Sequence, residues 1–327
     1  MRVLVTGATG FTGGHLAQRL AACGHEVRAL VRDERRGRAL QDAGVASLVV
    51  GDLGRPESIP SAVRDVEVVY NVAALYRQAG LPDTVYRQVN AEGAARLVEA
   101  AAAAGVRRVV HCSTVGVHGD VEHPPADEDA PLRPGDVYQA TKLEGERLAT
   151  AAARRTGVEL TIARPTGIYG PGDRRLLKLF RSVARRRFVM LGSGRIFYHL
   201  TYVSDVAEGL RLCGEVPRAA GRTYLIAGPE VTTLEELVVR VARQAGVPPP
   251  RWRLPVWPFW IAGALCEAIC RPLRVEPPLY RRRVDFFTKS RSFRTERARV
   301  ELGFQPAVAL DEGIALTLAW YREHGWL

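Results

Sequence analysis

Short runs of consecutive apolar residues recur through the first half of the chain, separated by longer stretches in which apolar positions return every three or four residues. "RVLVTG", "EVRALV", "SLVV", "VEVVYNVAA" and "RRVVHCST" read as strands. "GGHLAQRLAACG" and "TVYRQVNAEGAARLVEAAAAAG" read as helices between them. Strands without a polar face must be covered on both sides, which linking helices do when the strands run parallel. Two more strands are expected at "VELTIARP" and, after an insertion, at "RTYLIAG". Beyond Pro165 the alternation gives way to Pro- and Arg-rich segments, short helices and a cluster of Trp252, Trp257 and Trp260. The pattern predicts a core over residues 1–165, completed by about 201–228, and a smaller interleaved lobe from 166–200 and 229–327.

In "VTGATGFTGGHL", Gly7, Gly10 and Gly13 follow the first strand and open the first helix. Glycines there allow a tight turn and let a pyrophosphate approach the free N–H groups of the helix N-terminus. The fold class expected is therefore α/β, a Rossmann-type doubly wound parallel sheet that binds a dinucleotide. The second strand ends in "RALVRDERR", placing Arg32 near the position that reads the adenosine ribose. A guanidinium suits a 2′-phosphate, which favours NADP; Asp33, one residue on, keeps NAD open. Asp52, after the third strand in "VVGDL", is placed either to accept from an adenine amino group or to cap a turn.

"DVYQATKLEGERLA", Asp136 to Ala149, puts Tyr138 and Lys142 four residues apart at the start of a helix, on one face. An ammonium beside a phenol favours the phenolate, so the pair suits proton exchange near neutral pH. It follows "HCSTVGVHG" at the end of the fifth strand, where open parallel sheets place their ligands and where Ser113 and Thr114 offer hydroxyls to a substrate oxygen.

With these pieces in place the chain resembles the extended short-chain dehydrogenase/reductase family, the NAD-dependent epimerases, dehydratases and 3β-hydroxysteroid-dehydrogenase-like enzymes. The resemblance covers nearly the whole chain and rests on "TGATGFTG", "NVAA", "VNAEGAARLVEAA", "CSTVGVHG", "YQATK", "RPTGIYGPGD", "YHLTYVSDVAEGL" and "RARVELGFQPAVALDEGIALTLAWYREHG", in that order. It implies Tyr138 as acid/base, Lys142 as its partner, and Thr114 as the catalytic hydroxyl with Ser113 beside it; His118 stands in the usual tyrosine place. Implied cofactor contacts are Gly7, Thr9, Gly10, Phe11, Thr12, Gly13, Arg32, Asp52, Leu53, Ala73 and Pro165, together with Tyr138 and Lys142. The implied reaction moves a hydride between nicotinamide and a secondary alcohol or ketone, and the family's habit is a homodimer, for which the Ala-rich "AARLVEAAAAAG" helix is a candidate face.

Departures from the family pattern narrow the reaction. Val115 and Gly116 stand where dehydratases carry an acidic pair, which argues against 4,6-dehydration. Tyr198 and His199 stand where nucleotide-sugar epimerases carry an Arg-Asp pair, so diphosphate binding would fall to Arg174, Arg175, Lys178 or Arg195. Three readings follow: a dehydrogenase or reductase of a ring-containing or lipid-like small molecule; a nucleotide-sugar 4-epimerase that retains NAD; and a non-enzymatic nucleotide sensor, which the intact Thr-Tyr-Lys set opposes.

Composition changes this picture at few points. The net charge of +11 is carried mainly by arginine, in "RDERRGR", "RRLLKLFRSVARRR" and "YRRR". No helix-turn-helix, zinc-finger or RNA-binding pattern accompanies it, so nucleic acid is not expected as a partner; solvated faces, anionic small molecules or a membrane surface remain. The five cysteines are scattered, without disulfide or metal spacing, and the chain opens on a strand without a signal segment, so a reduced, cytoplasmic protein without a metal is expected. "LPVWPFWIAGALCEAIC" is interrupted by Pro255, Pro258 and Glu267 and is too short to span a bilayer; it reads as core of the small lobe, pocket lining or a peripheral membrane contact.

Overall fold

The structure is a computed structural model that describes residues 1–78, 80–270 and 281–327. Tyr280 of the "YRRR" cluster and Arg271–Leu273 at the end of the tryptophan-rich stretch lie outside them, as do the Arg281, Arg282 and Arg283 side chains.

The described residues form twelve strands: β1 (Arg2–Thr6), β2 (Glu26–Val31), β3 (Ser47–Val50), β4 (Val68–Asn71), β5 (Arg108–Cys112), β6 (Glu159–Pro165), β7 (Gly167–Tyr169), β8 (Met190–Leu191), β9 (Phe197–Tyr202), β10 (Thr223–Ile226), β11 (Val231–Thr233) and β12 (Arg253–Leu254). Seven build one parallel sheet in the order β10-β6-β5-β4-β1-β2-β3. The order reverses between β1 and β4, and the crevice beyond the strand ends at such a point is where doubly wound sheets bind ligands. Helices Phe11–Ala22 and Val203–Glu215 cover one face through Leu16, Leu20, Val206 and Leu210; Gly93–Ala103 and Val137–Thr156 cover the other through Ala94, Leu97, Ala149 and Ala152.

All seven strands read from the apolar runs are present, with ends shifted by at most a few residues. What the pattern did not reveal are the short strands after Pro165. β7, β9 and β11 form a second sheet, and β8 pairs with β12. Tyr169, Phe180, Leu234, Leu237, Ile314 and Tyr321 form a separate apolar cluster there.

One expectation is corrected. The tryptophan-rich stretch is not core: Trp252, Trp257 and Trp260 are all exposed. In the Ala-rich helix, Ala94 and Ala101 are buried in a cluster with Ala149, Ala152 and Ala153 of the same chain, while Ala103 and the following Ala104 are exposed.

Candidate active site

A cavity of about 1240 Å³ lies at the switch point. That exceeds the usual range for one small ligand, as a site holding both a dinucleotide and a second molecule requires. Its floor is the glycine loop. Gly7 has φ +70°, and a Cβ there would lie 2.8 Å from the Ala73 backbone. A Cβ on Gly13 would lie 2.2 Å from the Gly7 carbonyl oxygen. The loop can fold this tightly only without those side chains. Gly10 caps helix Phe11–Ala22 without a side-chain hydrogen bond, so the first-turn N–H groups have no side-chain cap and the residues around them line the cavity. That is an anion site by dipole and by donor supply, and it fits a pyrophosphate.

Each cofactor residue read from the sequence, Gly7, Thr9, Gly10, Phe11, Thr12, Gly13, Arg32, Asp52, Leu53, Ala73, Tyr138 and Pro165, lines this cavity, and so do Ser113 and Thr114. Lys142 alone is set behind the wall, almost fully buried. At the far end Arg32 is joined by Arg36, which the sequence reading passed over although it follows one helical turn later. The alternative that Asp33 turns inward is not realised. Its carboxylate accepts from Arg35 N at 2.9 Å and caps helix Glu34–Asp42. Asp52 combines its two candidate placements: it lines the cavity while Oδ1 accepts from Gly54 N at 2.8 Å.

At the other end, helix Val137–Thr156 begins with Asp136 accepting from Gln139 N at 2.9 Å. Tyr138 therefore sits in the first turn, where the helix dipole favours a developing phenolate. Burial instead pushes its pKa well above the ordinary phenol value, which favours the neutral phenol. Its ring meets Tyr76 edge to face at 4.9 Å. Thr114 Oγ1 accepts from Gly116 N at 3.0 Å, which orients the hydroxyl and leaves its proton to donate. Ser113 Oγ is buried, faces the cavity, and has no partner among the described residues. An orphaned hydroxyl on a cavity wall fits a ligand oxygen.

Lys142 is held by a buried chain of side chains that the sequence did not reveal. Thr6 Oγ1 accepts from Val72 N and Ala73 N and so donates its own proton to Asn71 Oδ1 at 2.9 Å. That fixes the Asn71 amide, whose Nδ2 donates to His111 Nδ1 at 3.1 Å. The proton of the neutral ring is then on Nε2, 3.4 Å from Lys142 Nζ, which itself donates to Cys112 O at 2.8 Å. Burial lowers the pKa of both groups, His111 most strongly, and their mutual repulsion lowers His111 further. The lysine is thus tied to the glycine strand β1 through β4 and β5.

The arginines near the mouth are already engaged. Arg77 binds Asp136 Oδ2 through Nε and Nη2, at 3.1 and 2.7 Å, and Arg175 binds Asp173 at 3.0 Å. Of the cations considered for a diphosphate, Arg175 lines the cavity while Arg174, Lys178 and Arg195 do not; Arg291, which was not among them, also lines it. Tyr198 and His199 are structural. The Tyr198 hydroxyl donates to Phe286 O, and the buried His199 ring bonds Gly228 O and Phe293 N. His118 bonds Arg164 behind the cavity wall.

Comparison with known proteins agrees with this geometry. Residues 3–227 match the NAD dependent epimerase/dehydratase family. The 2-alkyl-3-oxoalkanoate reductase of Stenotrophomonas maltophilia is 31% identical, covering 96% of this chain and 97% of the reductase. The Arabidopsis thaliana 3beta-hydroxysteroid-dehydrogenase/decarboxylase isoform 2 is 29% identical over 96% of this chain, which spans 61% of that protein's length. The solved structure of MoeE5 in complex with UDP-glucuronic acid and NAD superposes with a TM-score of 0.77 at 29% identity, covering 99% of this chain and 100% of that one. The chain belongs to the NAD dependent epimerase/dehydratase family and is an enzyme of the extended short-chain dehydrogenase/reductase group.

Proposed function

We propose that the protein is an NADP-dependent dehydrogenase or reductase that interconverts a secondary alcohol and a ketone on an apolar or ring-containing small molecule. The observation that carries this reading is the adenosine end of the cavity. Arg32 and Arg36 line it, Asp33 caps a helix and meets Arg36 at 3.8 Å, and among the described residues Arg32 makes no ion pair. Two guanidiniums without an inward carboxylate suit a 2′-phosphate and offer nothing to accept from a free 2′-hydroxyl.

The substrate end supports the same class. Two of its arginines, Arg77 and Arg175, are paired with Asp136 and Asp173, while Tyr76 and Ile168 give it apolar walls. The likeness to a 2-alkyl-3-oxoalkanoate reductase points the same way. The nicotinamide cofactor supplies or takes the hydride. In the reductive direction Thr114 donates to the substrate oxygen and Tyr138 delivers the proton to it. Lys142 lowers the cost of the phenolate left behind, and Ser113 gives the oxygen a second hydroxyl.

A second reading, a nucleotide-sugar epimerase that keeps its NAD, draws on the likeness to MoeE5 with UDP-glucuronic acid and NAD. Replacing Arg32 with Asp separates the two. The NADPH-to-NADH ratio of kcat/KM should fall by about 10- to 100-fold, the worth of one or two charge-assisted hydrogen bonds. Because Arg32 is exposed, the melting temperature should not move. An unchanged cofactor ratio would remove Arg32 from the cofactor site.

A further inference from the structure

The tryptophan-rich helix poses a problem that the catalytic reading does not answer. Along Trp257–Cys270, Trp257, Trp260, Ile261, Leu265, Ala268 and Ile269 return at intervals of three and four and share one face. That face is open: Trp257 is 66% exposed, Trp260 50%, Leu265 59% and Ile269 62%. Gly263 and Glu267 face the protein. None of the exposed residues lines the active-site cavity. Soluble proteins seldom present so continuous an apolar face to water.

Charge identifies what covers it. β8 runs parallel to β12, with Met190 N donating to Trp252 O at 3.0 Å. The exposed run Arg185-Arg186-Arg187 therefore approaches Arg251 and Trp252, which is 75% exposed, at the foot of the helix. Among the described residues these four arginines form no ion pair. An apolar stripe rimmed by unpaired cations matches an anionic lipid surface, with aromatic rings at headgroup depth and guanidiniums on phosphates. A second copy of the chain would bring the same cations against each other across a two-fold axis. No described helix is long and apolar enough to cross a membrane, so the fit is to lying on one.

We propose that this face is a peripheral membrane-docking surface, on which helix Trp257–Cys270 lies in the interface of an anionic bilayer while Arg185–Arg187 and Arg251 meet its headgroups. The inference stands independently of the reductase reading, because it uses none of the cavity residues.

Flotation of the full chain with extruded vesicles tests it. Vesicles of phosphatidylcholine mixed with phosphatidylglycerol should carry the protein, and pure phosphatidylcholine should not. W257A/L265A and, separately, R185S/R186S/R187S should each lower the bound fraction by about tenfold or more while circular dichroism and the melting temperature stay unchanged. Equal binding to both vesicles, no binding to either, or undiminished binding of the variants would overturn the proposal. So would a dimer in sedimentation that W257A/L265A converts to monomer, which would make the face an interface between copies.

Discussion

Tyr138→Phe should lower kcat by about 10²–10⁴-fold, the usual worth of a positioned general acid, with a small change in KM for the cofactor. The substitution is conservative for the fold. The phenyl ring keeps its edge-to-face contact with Tyr76, and the helix start depends on Asp136 and Gln139, not on the phenol. What is lost is the phenolic proton donor on the cavity wall. Burial makes the loss specific: a neutral phenol delivers its proton only if the phenolate it becomes is stabilised, here by the helix N-terminus and by the Arg175 and Arg77 guanidiniums, whose charges favour it. Steady-state rates with saturating NADPH and a short-chain 3-oxo ester measure it, after circular dichroism has confirmed the fold. Turnover within a factor of a few of the parent would remove Tyr138 from the chemistry.

The second large effect is on stability. Arg164 on β6 and Glu146 on the catalytic helix form a buried, two-point pair, with Nε to Oε1 at 3.0 Å and Nη2 to Oε2 at 2.7 Å. Arg164 Nη1 bonds Glu128 O and His118 Nε2. Glu146→Ala leaves a guanidinium buried without its counter-charge, and should cost about 3–5 kcal/mol of unfolding free energy. An apolar pair need not carry that penalty, so E146M/R164M should recover most of the loss. Urea denaturation of the two variants measures both. A loss in E146A that the double variant does not recover would mean that the pair supports the helix by packing rather than by charge.

The two halves of the chain differ in how much their sequence discloses. The central strands are legible because burial on both faces demands unbroken apolar runs, and the glycine loop because only glycine tolerates the contacts at Gly7 and Gly13. Tyr138, Lys142, Thr114 and Ser113 are legible from their order and spacing, and the fold brings them to one end of one cavity or just behind its wall. The Thr6–Asn71–His111 chain behind Lys142 is not. Its members come from three strands, and β4 comes to lie beside β1, and β5 beside β4, only through the crossovers. Arg291 on the cavity rim follows a helix whose packing no local pattern predicts. The tryptophan-rich helix misleads for a related reason. Apolar spacing shows that one face of a helix is distinct, not whether protein or something else covers it.

The central claim, a cofactor exchanged at every turnover, is tested most directly by denaturing freshly purified protein and quantifying released nucleotide by mass spectrometry. The account predicts an essentially empty site that then binds NADPH reversibly and more tightly than NADH. Near-stoichiometric NAD per chain would contradict it and place the protein with the enzymes that recycle their cofactor in place.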